Sequence, residues 1–291
     1  MKRSLINSMA VGAAMLVALI VFGASPERVA AQGGQAPLNA QGVIMPTDPN
    51  FKPTGPVPRM PDGHPDLSGV WWQGGDFQFG GRGRAAGPAQ AQGRGAAPAP
   101  PRRVTWQSLY TPEYAAKAKP LSDKDDPSLY CIPTIDGPQQ SDIFQLLQTP
   151  KFVVYLQETY HGFRLIPLDG RAHSEEAPPA FRGDSTARWE GDTLVVDVTN
   201  FNTRNWVMYG VNGPASLHSD ALHLIERYTR TAANALEVER TYIDPKALTQ
   251  PWARPKKVFE LAPFDRVMEV VCTINETGAL MEAAAKQGNA R

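Results

Sequence analysis

The densest group of side chains that could do chemistry lies between residues 218 and 227. His218, Asp220, His223, Glu226 and Arg227 fall within this short stretch. Histidine and carboxylate side chains are the commonest general acids and bases, and an arginine can stabilise negative charge that develops during a reaction. The stretch is therefore a candidate acid–base site.

Strand geometry limits which members of this group can act together. Alternate side chains of a strand face opposite ways, so His218 and His223 would converge only if residues 218–221 form a loop. We expect a catalytic site to use one histidine as the base, with Arg227 or Arg188 stabilising negative charge. The candidate catalytic residues are His218, His223, Glu226, Arg227 and Asp197.

Two other interpretations of the same group stay open. Imidazole and carboxylate groups also ligate Zn²⁺ and other divalent ions, and the His-x-Asp-x2-His-x2-Glu spacing allows such a site. The same groups also make structural hydrogen bonds inside a fold. Because the spacing of the two histidines disfavours one shared site, we assign no metal ligands and expect no cofactor.

A second group of residues is suited to recognising a small molecule. Segment 200–206 places amides beside aromatic rings and an arginine, which can hydrogen-bond a polar group, wall an apolar one and pair with a carboxylate. Ordinary Asx turns are the competing interpretation. With Tyr209 and Trp252, the segment is predicted to form a lid over a barrel mouth. The candidate ligand-binding residues are Arg188, Trp189, Asn202, Arg204, Trp206, Tyr209 and, in the loop after Asp169, His173.

Four predicted β-hairpins must position these residues. Alternating apolar residues and short turns pair 152–158 with 163–168, 184–189 with 193–199, 222–230 with 235–243, and 257–262 with 266–274. Successive hairpins favour an antiparallel meander, which hides its edges by closing into a barrel or folding into a sandwich. We predict a mainly β protein with a closed barrel, and a β-sandwich is the alternative.

Charged residues also interrupt the predicted strands. Arg164, Arg188 and Arg240 are examples, each within an otherwise apolar or alternating segment. One face of each strand meets solvent, so cross-strand surface pairs are the simplest explanation for most of these charges.

Shorter signals predict the elements that precede the hairpins. Residues 61–63 (Pro-Asp-Gly) predict a turn, and 67–73 a first strand. Residues 110–118 predict a short helix with Thr111 as its N-cap. Segment 141–147 is ambiguous between a helical turn and a strand.

The N-terminus has the pattern of a secretory signal. Lys2 and Arg3 precede an apolar stretch from Met9 to Phe22, and small residues follow at 29–31. The stretch is short for a membrane span, although a retained N-terminal anchor is an alternative. We expect residues 1–31 to be removed and the mature protein to be periplasmic or extracellular, with no membrane span.

Charge and length limit the partners and the number of domains. The 29 basic and 29 acidic residues become 26 and 28 without residues 1–31, which gives no electrostatic case for binding nucleic acid or anionic lipid. About 260 remaining residues suffice for one core. We predict an extended arm at 32–66, a single β domain at 67–276 with a disordered Gly/Ala/Pro/Arg loop at 80–103, and a flexible tail at 277–291.

Cys131 and Cys272 are the two cysteines of the chain. An even pair in an exported protein indicates a disulfide, and buried free thiols are the alternative. The predicted bridge would link the segment before the first hairpin to the last predicted strand.

Several motifs also carry a resemblance to a family. They are Pro-Asp-Gly-His-Pro-Asp-Leu-Ser-Gly-Val-Trp at 61–71, Arg-Trp-Glu-Gly-Asp-Thr-Leu-Val-Val-Asp at 188–197, and His-Ser-Asp-Ala-Leu-His at 218–223 with Glu226 and Arg227. In these motifs the chain resembles a widespread family of exported bacterial proteins of unknown function. A looser similarity, through Gly-Val-Trp at 69–71, is to lipocalin-like barrels. The first resemblance implies export, and the second implies a lipocalin-like barrel.

These observations lead to three function hypotheses. The first is that a small, partly apolar organic molecule binds in a barrel pocket. The second is a cofactor-independent lyase, isomerase or hydrolase that uses a His/carboxylate pair, and the third is a non-catalytic envelope interaction module. The small molecule is the expected partner.

Overall fold

The computed structural model describes residues 46, 48, 50–73, 104–136, 143–158, 160, 162–208, 215–268 and 272. The predicted signal peptide at 1–31, the loop at 80–103 and the tail at 277–291 lie outside these residues. No helix within the described ranges has both the length and the apolar character needed to cross a membrane.

Ten strands and one α-helix are present in the described part of the chain. The strands are β1 (Gly69–Trp72), β2 (Phe144–Gln148), β3 (Phe152–Gln157), β4 (Gly162–Pro167), β5 (Asp184–Glu190), β6 (Thr193–Thr199), β7 (His223–Ala232), β8 (Ala235–Ile243), β9 (Trp252–Ala253) and β10 (Lys257–Leu261). The helix is α1 (Pro112–Ala118), and 3₁₀ turns cover Gln107–Leu109, Asp123–Asp125 and Pro127–Tyr130.

The strands form one antiparallel sheet that curves into a nearly closed barrel. Its order is β4-β3-β2-β1-β10-β8-β7-β6-β5, and β9 pairs with the end of β8. β4 and β5 are the two ends of this order and lie close together in space. The predicted mainly β barrel is therefore confirmed, with a seam between β4 and β5.

Alternation along the strands decides which side chains enter the barrel. In β7, residues 224, 226, 228 and 230 are buried, whereas 223, 225, 227 and 229 are partly exposed. Large aromatic residues fill much of the interior. Those that are almost fully buried are Trp71, Trp106, Phe144, Tyr228, Tyr242 and Phe259. The polar members of the inward face are consequently surrounded by a well-packed core.

The segment before β1 is attached to the hairpin of β5 and β6. The Arg59 guanidinium donates to both carboxylate oxygens of Asp192, at 2.9 and 2.7 Å. The His64 ring stacks on Trp189 with ring centroids 4.6 Å apart. The predicted turn at 61–63 is present, because the N–H of its glycine donates to the carbonyl of Met60. These contacts fix the start of β1 against the barrel.

A disulfide joins Cys131 to Cys272, as predicted. Cys131 follows the 3₁₀ turn at 127–130 in a left-handed conformation, with φ of 61°. Cys272 lies beyond β10 and outside the strands. The bridge therefore attaches the end of the described chain to the segment that precedes β2.

Most of the predicted elements are observed, and one is wrong. The first three hairpins correspond to β3–β4, β5–β6 and β7–β8, the predicted helix is α1 with Thr111 as N-cap, and the ambiguous segment contributes β2. The fourth hairpin, 257–262 with 266–274, is not formed in its described part, since residues 266–268 lie outside the strands and residues 269–271, 273 and 274 lie outside the described residues. β10 pairs with β8 on one edge, and β1 occupies the other edge at Glu260 and Leu261, where residues 266–268 would have paired.

Candidate functional site

The barrel encloses a polar cavity between its two halves. β3, β4, β7 and β8 supply most of its walls, and loops supply the others. The lining residues are Ile135, Tyr155, Gln157, Arg164, Arg182, Phe201, Leu224, Glu226 and Arg240. The volume available to the centre of a water-sized sphere is about 20 Å³, which is room for about one water molecule, so a larger molecule fits only when lining side chains move.

Glu226 lies at the centre of the charged network in this cavity. Its Oε2 accepts a hydrogen bond from Arg164 Nη2 at 2.5 Å, and its Oε1 accepts from Arg240 Nε at 3.1 Å. The Tyr228 hydroxyl also donates to Oε1, at 3.1 Å. The Arg164 guanidinium in turn lies 4.9 Å from the centre of the Tyr155 ring. Both carboxylate oxygens of Glu226 therefore accept hydrogen bonds. Oε2 accepts from Arg164 on β4, and Oε1 accepts from Arg240 on β8 and from Tyr228 on the same strand, β7.

A second buried carboxylate extends the network toward β9. Asp136 is 3% exposed, and its Oδ1 accepts from Arg240 Nη1 at 3.2 Å. Arg254, just after β9, forms an ion pair with the same carboxylate. Arg240 therefore bridges two carboxylates, Glu226 and Asp136, and its position is constrained from both sides.

The electrostatics of the network keep its members charged near pH 7. Burial opposes ionisation of Glu226, but Arg164 and Arg240 outweigh burial and hold the pKa of this carboxyl below its ordinary value. Burial likewise opposes protonation of Arg164, and Glu226 outweighs it and raises the pKa of the guanidinium. Neither group changes its protonation state near neutral pH.

Arg182 reaches the cavity from the loop that connects β4 to β5. Its guanidinium donates to the amide oxygen of Gln157 on β3. Gly162, the first residue of β4, makes room for this path, since a Cβ there would lie 2.1 Å from Arg182 Nε. The absence of a side chain at Gly162 is therefore a condition for the observed position of Arg182.

The residues predicted from segment 218–227 occupy separate environments. His218 is 4% exposed, and its ring nitrogens lie 2.9 Å from the carbonyl oxygen of Ser219 and 3.1 Å from Asn205 Oδ1. Burial lowers the pKa of His218, so its ring is neutral near pH 7. Glu226 faces the cavity, whereas Arg227 is on the outer face and donates to Glu190 at 2.9 Å.

His223 and Asp197 meet on the outer face of the barrel. His223 Nε2 lies 2.8 Å from Asp197 Oδ1, and His173 Nε2 lies 2.9 Å from the same oxygen. The other ring nitrogen of His173, Nδ1, lies 2.9 Å from Asp184 Oδ2. Burial lowers the pKa of His173, but the two carboxylates outweigh it and raise the pKa overall. His173 thus links its loop to β5 and β6 with both ring nitrogens.

The remaining predicted ligand-binding residues do not form one site. Arg188 is exposed and donates to Glu190 at 2.6 Å, and Trp189 stacks on His64. Asn202 Oδ1 accepts from the N–H of Arg204 in an ordinary Asx turn. None of these four side chains is among those that line the described cavity.

The predicted lid is also corrected by the structure. Trp252 packs in the core, with its ring centre 5.6 Å from that of Trp106, so it does not belong to a lid. Trp206 is buried against Ala118 and Ala215. Phe201 is the member of segment 200–206 that lines the cavity, and Tyr209 lies outside the described residues.

The sequence reasoning missed most of the cavity residues. Arg164 and Arg240 were expected in surface pairs, but their side chains are only 9% and 10% exposed and lie inside the barrel. The alternation of side chains along the strands indicates the inward direction of Arg240, because Arg240 is paired with the inward-facing Glu226 across β7 and β8. Arg182 and Asp136 lie in irregular segments, for which strand parity gives no direction.

Within the described ranges, no group of three or more His, Cys, Asp or Glu side chains is arranged to hold a metal ion. No protein-family model, curated protein or solved structure matches the chain. The family resemblance in its motifs therefore stays a prediction, and function has to be argued from the chemistry of the cavity.

Proposed function

We propose that the protein binds a small, partly apolar organic molecule in the barrel cavity. The observation that carries this proposal is the composition of the cavity wall. Aromatic and aliphatic groups from Tyr155, Phe201 and Leu224 stand beside the guanidinium groups of Arg164 and Arg240. Small-molecule sites typically combine an apolar wall with a few well-placed polar groups.

Binding accounts for the cavity better than acid–base catalysis does. Glu226 and Arg164 keep their charges near pH 7, whereas a general acid or base works best with a pKa near the operating pH. No histidine is among the residues that line the described cavity. The histidines His173 and His223 contact Asp197 on the outer face, and none of these three side chains lines the described cavity.

The interaction-module hypothesis concerns a different part of the chain. It rests on the arginine-rich loop at 80–103, which lies outside the described residues. It therefore stays a prediction, and deletion of that loop is its test.

A ligand retained during purification would test the binding proposal directly. We expect mass spectrometry of the intact protein under native conditions to show an added small molecule that is lost on denaturation. A cavity-filling substitution, Ile135→Phe, should abolish the added mass, because Ile135 lines the cavity. The matched control is Leu165→Phe on the exposed face of β4, where the side chain is 53% exposed.

Retention can fail for a weak ligand, so a second measurement is needed. A thermal-shift screen of organic acids, amines, alcohols and amides should give at least one stabilising compound. If neither measurement detects a ligand, or if Ile135→Phe retains binding as Leu165→Phe does, the cavity is not the binding site and the proposal is wrong.

A further inference from the structure

We infer that the outer face of β2, β3 and β4 is a docking surface for a second copy of this chain, which packs its own β2–β4 face against it in a two-fold dimer. The inference goes beyond the proposed ligand binding, because this face lies on the opposite side of the strands from the cavity. It is carried by the apolar composition of the face, by its relief and by its area.

Every outward-facing residue of β3 and β4 is apolar. Alternate residues of β3 are buried in the barrel, and on β4 Arg164 and Ile166 point inward. The residues between them form three cross-strand pairs on the outside, which are Phe152 with Pro167, Val154 with Leu165, and Leu156 with Phe163. These six residues, together with Leu147 on β2 beside Val154, form a continuous surface that we call the β3–β4 patch.

The β3–β4 patch is exposed, unlike the apolar residues of the barrel interior. Phe163, Leu165 and Leu147 are 67%, 53% and 43% exposed. On β7 and β8 the outward positions include charged residues such as Arg227 and Glu239, as expected for a sheet face in contact with water. Since contiguous exposed apolar residues mark interaction surfaces, the patch is the part of the outer face best suited to a protein partner.

The relief of the patch is complementary to itself. Leu147, Val154 and Leu165 are cross-strand neighbours in one row, with the smallest side chain in the middle. Both leucines are more exposed than Val154, so β3 forms a shallow trough between ridges on β2 and β4. A second copy related by a two-fold axis can place its β4 ridge in this trough. Two sheet faces interdigitate in a similar way in β-sandwiches.

The area of the patch is suited to a weak dimer. If a large side chain offers about 150–250 Å² when fully exposed, the exposed and partly exposed members together offer on the order of 400 Å². This area is within the range of about 300–600 Å² for the largest apolar patch of a soluble monomer, which is often functional. Two copies would therefore bury on the order of 800–1,000 Å², at the lower limit for a specific complex.

The lack of charge in the patch favours a second copy over a lipid surface. Peripheral binding to anionic lipid depends on Lys or Arg side chains beside an apolar surface. None of the outward-facing residues of β2, β3 and β4 is charged. An identical apolar face has no charges that need a partner, so two copies satisfy each other.

Sedimentation velocity of the purified protein tests the dimer. Between about 1 and about 500 µM, the range of weak association, the sedimentation coefficient should rise from the value of a monomer to that of a dimer. Leu165→Glu puts a charge in the middle of the patch, where the partner would exclude water, and should weaken the association about 10-fold or more. Because the contact is apolar, the wild-type association should not weaken at high salt.

The matched control is Thr231→Glu, which adds the same charge at an exposed outward position of β7. It should associate as the wild type does. A mixture of Leu165→Glu with Leu165→Lys should associate more tightly than either variant alone, because opposite charges then face each other across the interface. If circular dichroism shows that Leu165→Glu does not fold, Phe163→Glu at the most exposed position of the patch replaces it.

Three results would overturn this inference. A protein that stays monomeric over the whole concentration range does not form the dimer. Equal association of Leu165→Glu and Thr231→Glu would assign the dimer to another face. Binding of a monomeric protein to phosphatidylcholine vesicles that Leu165→Glu abolishes would assign the patch to lipid. None of these results affects the proposed binding in the cavity, which lies on the other side of β3 and β4.

Discussion

At the scale of single residues, Glu226 shows how surroundings decide chemistry. Its position in a His- and carboxylate-rich stretch predicted a role as a general acid or base. Arg164, 62 residues away along the chain, and Arg240 instead hold it ionised within a network. Neither the distance along the chain nor the local pattern around Glu226 indicates that Arg164 would face it. The inward direction of the Glu226 side chain follows from the alternation of buried and exposed residues along β7. Its contact with Arg164 follows from the closure of the barrel.

Removal of the Glu226 charge is expected to destabilise the protein strongly. In Glu226→Gln, the buried guanidinium groups of Arg164 and Arg240 lose their shared carboxylate, and breaking a buried ion pair typically costs about 3–5 kcal/mol. Urea unfolding at pH 7 would measure the change. Glu190→Gln is the control, because Glu190 pairs with two arginines on the outer surface, where a cost under about 1 kcal/mol is expected.

The Glu226 contribution also has a defined pH dependence. The pKa of this carboxyl is lower in the folded than in the unfolded protein, so its stabilisation is present above the unfolded value and is lost as pH falls through the folded one. The difference in stability between wild type and Glu226→Gln should therefore shrink on acidification below about pH 4. A difference that stays constant down to pH 3 would contradict this assignment.

His173 should give a pH dependence of the opposite sign. Its pKa is raised by Asp197 and Asp184 in the folded protein, so its stabilisation is full below about pH 6.5 and is lost as pH rises through the folded pKa. Unfolding measured at pH 6 and pH 8.5 should show that His173→Gln is less stable than wild type at pH 6, by under about 1 kcal/mol because the site is partly exposed. The two proteins should converge at pH 8.5.

A partner variant tests the cause of the His173 effect. Asp184→Asn removes the carboxylate that lies 2.9 Å from His173 Nδ1. It should weaken the same pH dependence without abolishing it, since Asp197 remains. If both variants keep the wild-type pH dependence, another group is responsible for it.

At the scale of elements, local signals were sufficient for hairpins and insufficient for distant pairings. The turns at 190–192 and 233–234, flanked by alternating apolar residues, predict β5–β6 and β7–β8 because both strands of each pair are adjacent in the chain. The place of β1 between β2 and β10 has no comparable signal, since its partners begin far along the chain. The incorrect fourth hairpin arose from the same limit, because β1 occupies the edge assigned to residues 266–274.

The start of β4 provides a test of how an element positions a cavity residue. Gly162→Ala places a methyl group where the Arg182 guanidinium lies, and because these atoms end a flexible side chain that can move, the expected cost is about 1 kcal/mol, the low end for overpacking. We expect lower stability in thermal unfolding, because the Arg182 guanidinium must leave its place beside Gln157.

A double variant isolates this contact. In an Arg182→Ala background, the added methyl group of Gly162→Ala no longer meets a guanidinium, so the second substitution should cost much less than it does alone. Equal costs in both backgrounds would show that the loss comes from the backbone of β4 and not from Arg182.

At the scale of the whole molecule, the disulfide encloses almost the entire barrel. The bridged cysteines are separated by 141 residues, and β2 to β10 lie between them. In the chain-entropy model a closed loop of this length stabilises the fold by about 4–5 kcal/mol. The pairing was predictable from the even number of cysteines and the predicted export signal, although the position of Cys272 outside the strands was not.

Reduction of the bridge should therefore lower stability substantially. The Cys131→Ser/Cys272→Ser double variant is expected to lose about 2–5 kcal/mol, measured by urea unfolding without reductant. Dithiothreitol added to the wild type should reproduce the loss and should leave the double variant unchanged. A wild type insensitive to reductant would show that the bridge contributes little to stability.

The place of β1 in the sheet has a consequence for the order of folding. β1 is first among the described strands along the chain, lies outside the loop closed by the disulfide, and joins β2 to β10. The β3–β4, β5–β6 and β7–β8 hairpins close short loops and can form early, whereas the pairing of β1 with β10 must wait for a segment about 190 residues downstream. Insertion of β1 is thus the step that converts two separate meanders into one barrel, and until then the facing edges of β2 and β10 are open to pairing with other chains.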